Sequence, residues 1–297
     1  MQWKGRRQST NVEDRRGGFK KTGGIGIGGI IIALILWKVF GINPETTLGV
    51  AEQIGQATQS APAQQSAEQQ ESGAFVKTVL ADTEDVWTPI FAQFGQRYQP
   101  PKLVMFTGSV RSACGAATSA SGPFYCPADQ TVYLDTQFFV DMKRQMGITG
   151  EQGGSTQFSR QDQAGDFAQA YVIAHEVGHH VQTLLGISQQ VRQAQARATK
   201  VQANELSVRQ ELQADCFAGV WAHKNHQRTQ FLEQGDIEEA LDAAEKIGDD
   251  YLQRQAHGHT VPDSFTHGTS QQRKRWFYRG LESGDIQQCD TFGTKQL

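Results

Sequence analysis

The spacing of apolar residues changes character three times along the chain, and each change marks a different kind of segment. Residues 23–42, GGIGIGGIIIALILWKVFGI, are apolar almost without interruption and carry Lys38 as their only charge. About 20 residues at 1.5 Å rise span a hydrocarbon core of about 30 Å. The run also lacks the period of an amphipathic core helix. It reads as a transmembrane helix, with Trp37 suited to the interface and Lys38 able to snorkel toward headgroups. A cleaved signal peptide is the rival reading. No small-x-small site follows the run directly, and Ala61-Pro62-Ala63 lies too far downstream, which favours an uncleaved anchor. Residues 43–73 are rich in Gln, Ala and Ser and nearly free of large apolar side chains. Such a segment cannot bury enough surface to offset its ordering entropy, so it reads as a flexible linker.

Apolar spacing resumes at Phe75. Phe75, Val79, Val86, Ile90 and Phe94 predict an amphipathic helix over 75–99, with Thr88-Pro89 marking a kink. PKLVMFTG and TVYLDTQFF (131–139) predict strands. From Gln161 onward the pattern predicts four helices, at about 163–185, 188–225, 236–256 and 270–283. The third opens at Asp236 with Glu238 and Glu239 in its first turn, and the last stops before Gly284. Residues 74–297 therefore read as one α+β domain, mostly helical with a small sheet.

Charge changes the picture at the N-terminus. The 297-residue chain has a formal net charge of −3, but residues 1–22 hold seven Lys/Arg against two acids, and the chain beyond Lys38 holds 20 against 29. A basic head could bind nucleic acid, yet the apolar run beside it makes it a topology signal instead. Residues 1–22 are then a cytoplasmic head on an inner-membrane, single-pass protein, with the 74–297 domain periplasmic or extracellular. The four cysteines include no C-x-x-C pair, and an even number in an exported domain suits two disulfides. Cys114 and Cys126 flank a Gly/Ser/Ala-rich loop and are paired on that ground, which leaves Cys216 with Cys289. The two other pairings, and four buried thiols, stay open.

The candidate chemistry lies in YVIAHEVGHHVQ, residues 171–182. Four residues turn a helix about 40° beyond a full turn, so His175 and His179 share a face and can grip one ion. Glu176 is angled to reach a water on that ion. His180 points about 140° away from His175 and reads as surface or outer support. H-E-x-x-H arises by chance about once in 100 sequences of this composition. A catalytic zinc takes three protein ligands and keeps one position open. RQELQADCFAGVWAHK, residues 209–224, supplies Glu211 as the third, with Asp215 on the same helix face to accept the free ring N–H of His175. His223, His226, His257 and His259 leave a three-histidine site open, though none comes with apolar framing or a partnered acid.

AHEVGHHVQ, RQELQADCFAGVWAH and SFTHGTSQQRKRWFYRGLESGD, with MQWKGRRQSTNVEDRRG at the start, together resemble the neutral zinc metallopeptidase family of bacterial membrane-anchored proteins. More distantly, H-E-x-x-H followed by E-x-x-A-D is similar to the Glu-zincin proteases. The resemblance implies a zincin-like domain with one Zn²⁺ per chain on His175, His179 and Glu211. Glu176 would be the general base, and a protein or peptide the substrate. Those relatives carry a later His with an Arg six residues beyond, which maps onto His267 and Arg273, although Gly268 stands where they usually have Pro. His267 would then stabilise the oxyanion, oriented by Arg273. Substrate binding along a sheet edge would use TVYLDTQFF. The alternative is a catalytically silent, zinc-stabilised, membrane-tethered binding module, against which Glu176 speaks. No feature of the sequence sets an oligomeric state.

Overall fold

In the computed structural model, which describes residues 1–16, 66–118, 121–139 and 165–297, two units are distinguished: Met1–Asp14 with Glu71–Leu297, and Arg15–Gln70. The apolar run 23–42 and all but the end of the 43–73 linker lie outside the described residues. Among those described, no helix is long and apolar enough to cross a membrane.

The larger unit is α+β with a helical majority. Its main sheet has the order β1 (Val12–Asp14), β2 (Lys102–Phe106), β6 (Thr131–Asp135), β5 (Phe124–Cys126). β1, β2 and β6 run parallel, and β5 is antiparallel to β6. β3 (Ser109–Ser112) and β4 (Gly115–Thr118) form a separate hairpin. A strand buried on both faces needs a continuous apolar run, and β2 has Leu103, Val104, Met105 and Phe106 all buried. The TVYLDTQFF segment departs from expectation. Its strand stops at Asp135, residues 136–139 are helical, and β6 lies between β2 and β5 instead of at an edge. β5 and β1 are the edges.

Besides the helical residues 136–139, the helices are α1 (Ala67–Gln93), α2 (Asp166–Leu184), α3 (Ile187–Gln195), α4 (Lys200–Thr229), α5 (Asp236–Lys246), α6 (Asp249–His257) and α7 (Ser270–Ser283). Two helices expected to be continuous are broken. The first breaks at Thr199, whose side chain accepts from Gln202 N while Gln202 caps back, a complete capping box inside the predicted 188–225 helix. The second breaks at Ile247-Gly248, because Gly248 meets Ser270 so closely that a Cβ there would strike its backbone nitrogen. Pro89 lies within α1, which runs through it.

The basic head is the largest correction. Expected to stand apart in the cytoplasm, residues 1–14 belong to the helical domain. β1 pairs with β2, and the arginines find buried acids. Arg6 and Arg228 both donate to Asp82 Oδ1, at 2.5 and 2.9 Å. Arg7 spans Glu84 and Asp85 at 2.9 and 2.6 Å. Ser9 and Asn11 donate to Glu84 Oε1 at 2.6 and 2.8 Å.

Helix α4 runs through the core against α2 on one side and α7 on another. Each crossing is made at glycine. A Cβ on Gly178 would lie 3.0 Å from the Ala214 carbonyl oxygen. At the α4–α7 crossing, a Cβ on Gly219 would overlap the Phe277 carbonyl oxygen, and one on Gly280 the Cys216 carbonyl oxygen. Backbones this close leave no flexible side chain to yield. Gly280→Ala should therefore cost about 3 kcal/mol or more, read as a lower midpoint in urea denaturation; a midpoint equal to that of the parent would contradict the described crossing.

Candidate metal centre

The α2–α4 crossing at Gly178 sets the distance between the histidine pair and the carboxylate. His175 Nε2 lies 3.1 Å from Glu211 Oε2, and His179 Nε2 lies 3.4 Å from Glu211 Oε1. Ligand atoms about 2.0–2.1 Å from a tetrahedral ion are about 3.3 Å apart. Residues separated by 36 positions along the chain thus present two imidazole nitrogens and a carboxylate at the spacing zinc requires. Both rings direct Nε2 to this point. Glu176, the residue after His175 on α2, is 8% exposed and close enough to His179 to contribute to its raised pKa.

Asp215, fully buried, fixes one ring. Its carboxylate accepts from Tyr171 Oη at 2.6 Å, His175 Nδ1 at 2.7 Å, and Arg273 Nε and Nη2 at 2.9 Å each. Burial would raise this carboxyl, but Arg273 and His175 outweigh it and hold the pKa at about 2. An ionised carboxylate only accepts, so the hydrogen is on Nδ1 of His175 and the Nε2 lone pair is available to a metal. Burial alone would depress the His175 imidazole; Asp215 and Glu211 more than compensate and raise it to about 10. A proton on Nε2 thus answers the same carboxylates that a divalent cation would, and a cation would displace it.

Arg273 does not orient His267, as the resemblance implied; its guanidinium is spent on Asp215. Asp249 does that work. Its Oδ2 accepts the backbone N–H groups of Thr266, His267 and Gly268 at 2.7, 2.6 and 3.0 Å, and Oδ1 lies 3.2 Å from His267 Nδ1. The hydrogen bond to Asp249 raises the His267 pKa above its ordinary value, with the Glu211 carboxylate contributing to the rise. His267 is half exposed. Gly268 has φ +90°, a conformation closed to proline, with Leu212 and Val208 at 3.2 Å from where a Cβ would be. The loop turns at this glycine, which explains why proline is absent here.

His180 is neither surface nor ligand. It is fully buried, donating from Nε2 to the Gln99 carbonyl at 2.7 Å and meeting Tyr125 Oη at 3.1 Å through Nδ1. It ties α2 to β5, and burial lowers its pKa to about 4. The three-histidine alternative is not formed. His223 binds the Leu281 carbonyl, His226 accepts from Leu232 N, and His257 and His259 are exposed. Cys114 is joined to Cys126 and Cys216 to Cys289. Tyr171 and Asp249 were not foreseen. Tyr171 was reachable, lying four residues before His175 on the same face; Asp249 was not, because its partner comes 18 residues later in another loop. The second acidic cluster among the described residues, Asp166, Asp236 and Glu239, receives the Met1 ammonium on its first two members.

A mostly helical α+β domain in which an H-E-x-x-H helix and a carboxylate from a second helix face one point presents a candidate metal centre. Over residues 1–292 the chain matches the family described as "Putative neutral zinc metallopeptidase", and it belongs to that family. It is 50% identical over 303 residues to the YpfJ protein of Escherichia coli K12, covering 99% of both chains. It is 41% identical over 222 residues to the Rv2575 protein of Mycobacterium tuberculosis, covering 71% of this chain and 68% of that one. No solved structure matches.

If Asp249 sets the His267 ring, Asp249→Asn should return the His267 pKa toward its ordinary value of about 6.5. An NMR titration of the imidazole resonances measures this, and an unshifted midpoint would remove Asp249 from the role.

Proposed function

We propose that this protein is a zinc-dependent metallopeptidase that hydrolyses internal peptide bonds, with one zinc per chain. The observation that carries the proposal is the convergence of His175, His179 and Glu211 at coordination spacing beside Glu176. Family membership supports zinc and a peptide substrate. Zinc on these three residues supplies Lewis acidity, which makes water nucleophilic near neutral pH and polarises a carbonyl.

The chain's own groups do the remaining work. Glu176 takes the proton of the attacking water and returns it to the leaving amine, a role typically worth about 10²–10⁴-fold. His267, its imidazolium favoured by Asp249, donates to the carbonyl oxygen as charge develops there. Asp215, Tyr171 and Arg273 hold His175 still throughout. An extended substrate can pair along β5, the sheet edge whose Tyr125 is tied to α2 through His180.

Attachment to a membrane through residues 23–42 belongs to the same proposal and is supported by the composition of that run. The two cysteine pairs favour the oxidising, periplasmic or extracellular side.

Glu176→Gln should keep one zinc per chain by metal analysis and lose at least about 100-fold in cleavage of a denatured protein. Glu211→Ala should lose the metal itself. Cleavage retained by Glu176→Gln would refute the base assignment, and full zinc retained by Glu211→Ala would refute the ligand set.

A further inference from the structure

His175 has Asp215 to fix its ring; His179 has no carboxylate in that position. Its Nδ1 lies 2.9 Å from Gln182 Oε1, on the next turn of α2. Gln182 is fully buried, and its Nε2 donates twice to α4, to the Gln210 carbonyl at 2.7 Å and to Gln213 Oε1 at 3.0 Å. Gln213, also buried, donates from its own Nε2 to the Cys289 carbonyl at 3.0 Å. Cys289 is bonded to Cys216, three residues beyond Gln213.

We infer that Gln182 and Gln213 form a two-amide relay that sets the tautomer and direction of His179, anchored on the disulfide-bonded segment at Cys289. The relay has only one polarity. A backbone carbonyl only accepts, so the Cys289 carbonyl requires the Gln213 amide to turn its nitrogen outward and its oxygen toward Gln182. The Gln210 carbonyl and Gln213 Oε1 together require the Gln182 nitrogen on their side. Gln182 Oε1 is thereby left facing His179, where it can only accept. The hydrogen is therefore on His179 Nδ1, and Nε2, 3.4 Å from Glu211 Oε1, is the nitrogen that faces the metal position. Two main-chain carbonyls, one adjacent to Glu211 and one next to the C-terminal disulfide, thus decide which nitrogen of His179 can bind metal. The same amide bridges His179 to residues on either side of Glu211, so Gln182 also holds the two ligand-bearing helices in register. Gln182 is a positioning residue: it touches a ligand, not substrate.

The inference rests on the zinc-site reading, and zinc affinity of the full-length chain, measured by competition with a chromophoric chelator, separates the two. A parent protein that binds no zinc fails the zinc reading. With the parent binding, Gln182→Met, which removes both the acceptor and the donors, should weaken zinc about 10–100-fold. Gln182→Glu restores the acceptor to Nδ1 but supplies no N–H to Gln210 or Gln213. It should recover zinc affinity to within about threefold of the parent while the metal-free protein stays as destabilised as Gln182→Met in thermal melts. A merely structural role would move affinity and melting together. Cobalt in place of zinc should show altered d–d absorption in Gln182→Met and parent-like absorption in Gln182→Glu. Zinc affinity of Gln182→Met within about twofold of the parent, or of Gln182→Glu as weak as Gln182→Met, would overturn the relay.

Discussion

The arrangement of the helices depends on one buried carboxylate. Asp215 has no contact with solvent and accepts four hydrogen bonds from three residues on two other helices. An unpaired charge in that position would cost several kcal/mol, and removing one partner of such a pair typically costs about 3–5 kcal/mol. Asp215 is therefore viable only where α2 brings Tyr171 and His175, and α7 brings Arg273, to the same point. That requirement aligns three helices at once. The glycines serve the same approach: α4 comes close to both neighbours, and each crossing is made where no Cβ intervenes. The metal centre is one turn away on the same faces, so a constraint that orders the core also positions the ligands.

The two histidines are supported by different chemistry. His175 rests on an ionised carboxylate, itself neutralised by Arg273, whereas His179 rests on a neutral amide. A carboxylate partner raises ligand basicity more than an amide does. A second buried carboxylate would also need a second buried cation, and the helix faces around Gln182 hold Gln210 and Gln213 instead. The amide costs no buried charge and still has a fixed polarity, because its other end meets main-chain carbonyls. One strongly held ligand and one neutrally held ligand flanking a single carboxylate keep the site's total charge low.

Local patterns in the sequence were sufficient for what sits on one helix face. The i, i+4 spacing of His175 and His179, and of Glu211 and Asp215, predicted which side chains could cooperate, and the helix packing brings these pairs together. The helical majority and the small sheet followed from periodicity. What periodicity missed were features decided by another part of the chain. Arg273 was assigned to His267 through resemblance, yet burial beside Asp215 takes its guanidinium. His180 projected away from the metal and was read as surface, but α2 is covered on that side by β5, so the ring had to find two polar partners inside. The helix breaks at Thr199 and Gly248 lay within apolar patterns that continued through them. The capping box at Thr199 was there to be found, whereas the Gly248–Ser270 contact was not.

The N-terminal segment shows how one set of charges can be read in two ways. Counted along the chain, the basic residues before an apolar run are a topology signal that places them in the cytoplasm. Counted in the fold, Arg6 and Arg7 are the counter-ions of acids on α1. Asp82 is the decisive case: burial outweighs its arginine neighbours and still raises its pKa to about 6. Without Arg6, that carboxylate would hold its charge less readily still, with only Arg228 beside it. Asp82 and Glu84 are buried, and on α1 such acids are costly unless partners come to them. The domain is thus incomplete without its first residues, and the requirement that buried carboxylates be paired, which orders the metal centre, also decides where the chain's basic start must be.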